Sequence, residues 1–277
     1  MQSLNPPELR CNLIECVKII EFIKLIESII LIKRITKYVD CRFLGTPMNA
    51  RTKSNLDNRL RRGREARHVL MRAAEKVIAD KGLARVSISE ILREARQNNS
   101  SALQYHFGSL KGLITAIHAK RSEETRTKRA EMMNALLATD PKPDLRRLCE
   151  MMILPSFELS RTRPDFRRYV RAFGHQLTLH EDSAVVIVAY GGGGASGVEL
   201  AKLLRQALPH LSEAAFWQRM DFAVRLSASA MYAEAKRANS FRGEKAKIFL
   251  VCLIDALLGV LSAPDSSRLE EASTGHK

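Results

Sequence analysis

The chain has 277 residues, 45% of them apolar, and carries 45 lysines and arginines against 30 aspartates and glutamates, a formal net charge of +15. Its length and apolar content exclude disorder throughout and leave room for one or two domains with a sizeable core. The charge favours a polyanionic partner, nucleic acid or an anionic membrane surface, although a basic protein with no such partner can carry the same excess.

Five cysteines, Cys11, Cys16, Cys41, Cys149 and Cys252, form no CxxC pair and stand at no zinc-finger spacing from a histidine. An odd count in a chain of this size reads as reduced thiols in a cytoplasmic protein, with neither a disulfide framework nor a bound metal.

Residues 1–47 are crowded with isoleucine, whereas later segments are rich in alanine, leucine and arginine. The longest apolar stretch, Leu13 to Ile35, is broken by Glu15, Lys18, Glu21, Lys24 and Glu27. Central charges cost about 2.5–3.5 kcal/mol each in a bilayer. The stretch is therefore expected neither to span a membrane nor, lacking a small-residue cleavage site, to act as a secretory signal. Two readings stay open: an amphipathic helix that docks on something, or an upstream extension that is not natively translated, with Met48 as the working start. Residues 1–58 are expected to be disordered or absent from the native chain.

From Arg51 to Arg72 eight basic residues, among them Arg61 and Arg62, face only Asp57 and Glu65. Such a run is either a solvated face or an arm that meets phosphates. Val69, Leu70, Ala73, Ala74, Val77 and Ile78 then recur with helical period, and Gly82 is placed to stop that helix. Ser87-Ile88-Ser89-Glu90 reads as a capping box opening a short helix with Ile88, Ile91, Leu92 and Ala95 inward. Arg96-Gln97-Asn98-Asn99 supplies a turn, a third short helix covers Ser101 to Phe107, and Ser109 caps a longer fourth. Three short helices behind a basic arm suit a helix-turn-helix, and equally any small helical bundle.

Particular residues separate the two. Ala73-Ala74, Lys81-Gly82, Val86-Ser87-Ile88, Ile91 and Ala95, then Asn98 through Ser109 with its Gln-Tyr-His-Phe, and Gly112-Leu113 together resemble the N-terminal domain of the tetracycline-repressor (TetR) family. The resemblance is firm over residues 65–118. It continues more weakly in Leu253 to Gly259 with Ala263-Pro264, which is similar to the last helix of one subgroup. Two positions depart from the pattern. Arg96 stands where the family has glycine, and Leu110 stands where it has a basic residue, with Lys111 one later.

The resemblance implies an all-α chain: a three-helix helix-turn-helix domain over 59–118, a helical effector-binding and dimerisation domain over 119–265, and a disordered tail over 266–277. It implies a sequence-specific, homodimeric transcriptional repressor that a small-molecule effector releases from a palindromic operator. In the recognition helix, Leu103 and Phe107 lie four apart and are expected to face inward. Ser100, Ser101, Gln104 and Tyr105 are candidates for the outer face, where glutamine can pair with adenine and tyrosine can meet the sugar-phosphate. His106 and Lys111, near a helix N-terminus, are candidates for phosphate contact, as are Arg61 and Arg62. His106 and Tyr105 can instead close the small domain as a half-buried pair, and Asn99 can cap the third helix or touch DNA.

Beyond residue 120, helices are expected between breaks at Pro141, Pro143, Pro155, Pro164 and the Gly191–Gly194 run, a loop rather than a phosphate cradle. His175 and His180 share no helix face with a third ligand. Met132, Met133, Met151, Met152, Phe157 and Phe173 can line a pocket or simply fill a core. Ile248 to Leu261 is apolar almost all round, so it needs cover on every side, as a dimer helix or a central core helix has. No catalytic motif stands out, no cofactor is expected, and an enzyme is not expected. The competing class is a membrane-associated helical protein that uses residues 13–35.

Overall fold

A computed structural model describes residues 50–97, 101–176 and 194–266. These residues form nine α-helices and one 3₁₀ turn, with no strand among them. The readings on the apolar segment at 13–35, on Cys11, Cys16, Cys41, Met48 and His180, on glycines 191–193 and on all but the first residue of the tail at 266–277 lie outside the described residues. The chain divides at Arg61/Arg62 into two compact units.

Helix α1 (Ala50–Lys81) begins inside the segment expected to be an extension, and the basic arm is its first part. The expected boundary between arm and helix is absent because no proline or cap interrupts residues 50–81. Gly82 ends α1 with a φ of 79° and donates its N–H to the Ile78 carbonyl at 2.8 Å. The 3₁₀ turn Leu83–Arg85 leads into α2 (Ile88–Glu94). Both halves of the expected capping box form: the Glu90 amide donates to Ser87 Oγ, and the Ser87 amide donates to the Glu90 carboxylate at 3.0 Å. Hydrogen bonds from Lys81, then from Ser87, hold the Glu90 carboxyl down at about 2.

Helices α3 (Ser101–Phe107) and α4 (Leu110–Thr139) follow. Leu70, Ala74 and Ile78 of α1, Ile91 and Leu92 of α2, Leu103 of α3, and Leu113 and Ile117 of α4 make one small core. Ile88 is a correction. It shares a helix face with Ile91 and Leu92, but as the first residue of α2 it lies beyond the end of that core and stays exposed.

The larger core belongs to the rest of the chain: α5 (Leu145–Thr162), α6 (Pro164–Phe173), α7 (Gly194–Ala207), α8 (Glu213–Ala235) and α9 (Gly243–Ser262). At 30 residues, α4 is about 45 Å long. Its start feeds the small core and its end, through Met133 and Leu136, feeds the large one. Helix α6 also serves both, with Ala172 and Phe173 on the small core and Phe166 in the large.

Pro155 overturns a second expectation. It lies inside α5, buried, instead of breaking it. An interior proline loses a hydrogen bond and costs about 3 kcal/mol. Met151, Ile153 and Phe157 are buried on both sides of it, and their packing outweighs the cost. Pro164, by contrast, opens α6 at a position where its missing N–H is harmless. Met133, Met151, Phe157 and Phe173 are core.

Candidate nucleic-acid interface

Helix α3 has two turns, and its two faces differ sharply. Leu103 is buried in the small core, whereas Tyr105 is 84% exposed. Ser101 and Gln104 are exposed on the same outer side, and Lys111 is exposed in the first turn of α4. Asn99 and Ser100 lie outside the described residues. His106 is half-buried, its ring edge-on to Tyr105 at 5.0 Å between centroids. Of the expected closing pair, then, only His106 is drawn in.

The turn after α3 is set by two glycines. Gly108, at a φ of 73°, donates to the Gln104 carbonyl at 2.9 Å. Gly112 lies so close to the Phe107 carbonyl oxygen that a Cβ would collide with it. Ser109 caps α4 as expected, accepting from the Gly112 amide at 3.0 Å. Leu110 is partly buried against the small core. The departure from a basic residue at 110 therefore turns an apolar side chain inward, and the charge reappears at Lys111 on the outside.

At the other end of the motif, Arg96 has a φ of 51°. The Arg96 amide donates to the Arg93 carbonyl at 3.1 Å and the Gln97 amide to the Leu92 carbonyl at 2.9 Å. Those paired bonds close α2 in a Schellman turn, which puts its pivot residue in the left-handed region. An arginine here costs on the order of 1 kcal/mol in strain.

On α1, Arg61 and Arg62 are exposed, and Arg61 donates to Asn58 Oδ1 at 3.4 Å. Arg59 and Arg64 are exposed as well. Arg67 differs. It is half-buried, with Nη1 donating to the His106 carbonyl at 2.7 Å and its guanidinium 4.4 Å from the centre of the Phe107 ring. Sequence reading counted it only as one more charge in the run.

Sequence reading also missed the ionic knot behind the small core. Arg121 of α4 is 1% exposed. Its Nε and Nη2 donate to the two carboxylate oxygens of Glu75 on α1, each at 2.8 Å. Its Nη1 donates to Glu124 and to Asp165 of α6, also at 2.8 Å each. Arg163 reaches the same Glu124 and Asp165 at 3.1 and 2.7 Å. Burial would lower the Arg121 pKa, but the bonds from Glu75, Asp165 and Glu124 outweigh it and raise it. Burial would likewise raise the Asp165 carboxyl, and Arg163 and Arg121 instead hold it well below the ordinary carboxylate range. One turn earlier on α4, His118 Nδ1 is 3.1 Å from the Tyr169 hydroxyl and Nε2 is 3.1 Å from Gln176 Oε1. Burial pushes this imidazole below its ordinary 6.5.

Among the described residues no group of histidine, cysteine and carboxylate side chains could hold a metal ion, and no helix is long and apolar enough to cross a membrane. No family model matches the chain, and no curated protein matches it. Among solved structures, GusR of Salmonella enterica is similar at 18% identity, covering 72% of this chain and 96% of that one, with a TM-score of 0.43. At that identity and score the likeness assigns no function.

Proposed function

We propose that the chain is a sequence-specific DNA-binding transcriptional regulator of the tetracycline-repressor type, acting in the cytoplasm as a homodimer and without catalytic activity. The observation that carries this reading is α3. A two-turn helix that buries Leu103 while leaving Ser101, Gln104 and Tyr105 exposed has the form of a recognition helix. Its length suits insertion into a major groove, where Gln104 can pair with adenine. Lys111 beside the α4 N-terminus, with Arg61 and Arg62 on α1, supplies cations for phosphates.

The homodimer is supported by the last two helices. Ile248, Cys252, Ala256 and Gly259 follow one another along the exposed side of α9, and Phe222, Ser229 and Ala233 along that of α8. Ile248 is 57% and Phe222 51% exposed. Small and apolar groups in line on two packed helices make a surface that a second copy would cover, and a two-fold pair would present two recognition helices to a palindrome. Repression, and release by a small molecule taken up in the helical bundle, complete the proposal.

Selection from a random DNA pool with the full-length chain tests it. Recovery of a palindrome is expected. The double substitution Q104A/Y105A is then expected to weaken binding to that palindrome by about 10–100-fold, the loss of ~1–3 kcal/mol of base readout, with melting unchanged. Equal affinity of the double variant would remove α3 from the reading. Arg62→Ala is expected to lower the salt slope by about one.

A further inference from the structure

We propose that Arg67 is the positioning residue of the recognition helix: its guanidinium clamps the C-terminal end of α3 to α1 and so fixes the angle at which Gln104 and Tyr105 meet a base pair. The proposal rests on the DNA-binding reading above.

Helix α3 cannot hold itself. It has seven residues, and isolated helices shorter than about 12–15 residues are marginal in water. Its inward anchors are few. Leu103 is buried, and Phe107 is only partly buried at the rim of the small core. The carbonyls of a last turn have no helical donor and need one from elsewhere. At His106 that donor is Arg67 Nη1, at 2.7 Å. The same guanidinium covers the Phe107 ring at 4.4 Å, so one side chain holds consecutive residues by two contacts of different kinds.

One turn before Arg67, α1 presents Gly63. A Cβ there would come within 4.0 Å of His106 Cε1. That is an ordinary van der Waals distance, so the His106 ring lies beside α1 at this point whether or not residue 63 carries a side chain. A recognition group must be held within about 0.5 Å and 10–20° to be productive, and a two-turn helix pinned at one end by Leu103 needs a second pin at the other.

Arg67 sits in a basic run, so its rival role is direct contact with a phosphate. The geometry speaks against it: the guanidinium is half-buried and already committed to a carbonyl and an aromatic face. The two roles predict different salt behaviour. A lost phosphate contact lowers the slope of log affinity against log salt by about one. A lost positioning contact leaves the slope alone and lowers the ratio of specific to non-specific affinity.

The test compares full-length wild type, R67M and R67K. Without DNA, amide hydrogen exchange over Gln104–Gly108 is expected to quicken in R67M, with partial protection restored in R67K, whose amine reaches the carbonyl but lacks the plane that covers Phe107. Unchanged exchange in R67M overturns the clamp. With DNA, R67M is expected to keep the wild-type salt slope and lose about tenfold in the specific to non-specific ratio. A slope lower by one with the ratio intact, and R67K behaving as wild type, makes Arg67 a phosphate contact and overturns the proposal. If R67M does not fold, R67K carries the same readouts, with a smaller fall in the ratio expected and an unchanged ratio overturning the clamp. A wild-type chain that enriches no sequence overturns the DNA reading and this proposal with it. A wild-type chain that enriches one while R67M keeps the full ratio overturns this proposal alone.

Discussion

The small N-terminal core and the C-terminal helix pair leave opposite things uncovered. Around α1–α3 most apolar groups are inside, Leu60 and Ile88 excepted, and what faces out is mainly cationic or hydrogen-bonding, with Tyr105 as the large exposed ring. On α8 and α9 the charges are few along one side, and what faces out is Phe222, Ile248, Val251 and small residues. Surfaces of the first kind suit a polar, anionic partner and lose little without one. Surfaces of the second kind are unfinished, because exposed apolar area is itself a driving force for association. One chain therefore carries two different demands, and each can be broken without touching the other.

The largest effect is expected where the two halves meet. Arg121→Met removes the cation that Glu75 and Asp165 share and leaves Glu75 buried and unpaired. Loss of one partner of a buried pair costs about 3–5 kcal/mol, to be read by denaturant unfolding. The double variant R121M/E75Q should recover part of that loss; if it recovers none, the cost lies in packing and not in the stranded charge.

Next comes the unfinished surface. Ile248→Glu is expected to weaken self-association by on the order of 100-fold, the equivalent of about 2.7 kcal/mol for burying a lone charge in an interface. Sedimentation across a concentration series measures this, and no change would remove this surface from the proposed dimer.

The pH response separates the halves more finely. His118 is kept neutral by burial, so the unfolded chain takes up its proton first as the pH falls. Stability contributed by a neutral His118 is complete above about 6.5, the ordinary value, and is lost on acidification below it. Asp165 acts in a separate, lower window: its contribution is present above the ordinary carboxylate value and is lost only as the pH falls through its depressed pKa. Unfolding of His118→Gln between pH 7 and 5 should show a shallower loss than wild type. Parallel curves would place the titration elsewhere.

The smallest expected effect is a gain. Arg96→Gly relieves the left-handed strain at the end of α2 and should stabilise by at most about 0.5 kcal/mol after the extra flexibility of glycine is counted, read by denaturant unfolding.

What was legible in the sequence was local. Gly82, the Ser87–Glu90 box, the Ser109 cap and the bounds of α3 depend on residues a few positions apart, and Arg96 stood out only as a departure from the glycine of the pattern the chain resembles. The hidden features depend on distant partners. Pro155 reads as a break until the buried residues on both sides of it are known. Arg67 reads as charge until His106, 39 positions later, is found beneath it. Arg121 reads as one more surface arginine on a charged stretch until Glu75, 46 positions earlier, and Asp165, 44 later, converge on it. The outward face of α3 was readable because the helix is short and its inward residues are spaced four apart; that this face reads DNA is the proposal above. Two of its expected members, Asn99 and Ser100, lie outside the described residues.

Helix α4 has a practical consequence for anyone who would transplant the proposed DNA-reading end onto another protein. The seam suggested by sequence, between residues 118 and 119, falls inside a continuous helix, with His118 on one side and Arg121 on the other. There is no linker to cut. A graft joined there would have to carry Glu75 and Arg121 together and find in its new host a carboxylate where Asp165 stands. The transferable module is therefore larger than the motif, and its true edge is drawn by an ion network and not by a loop.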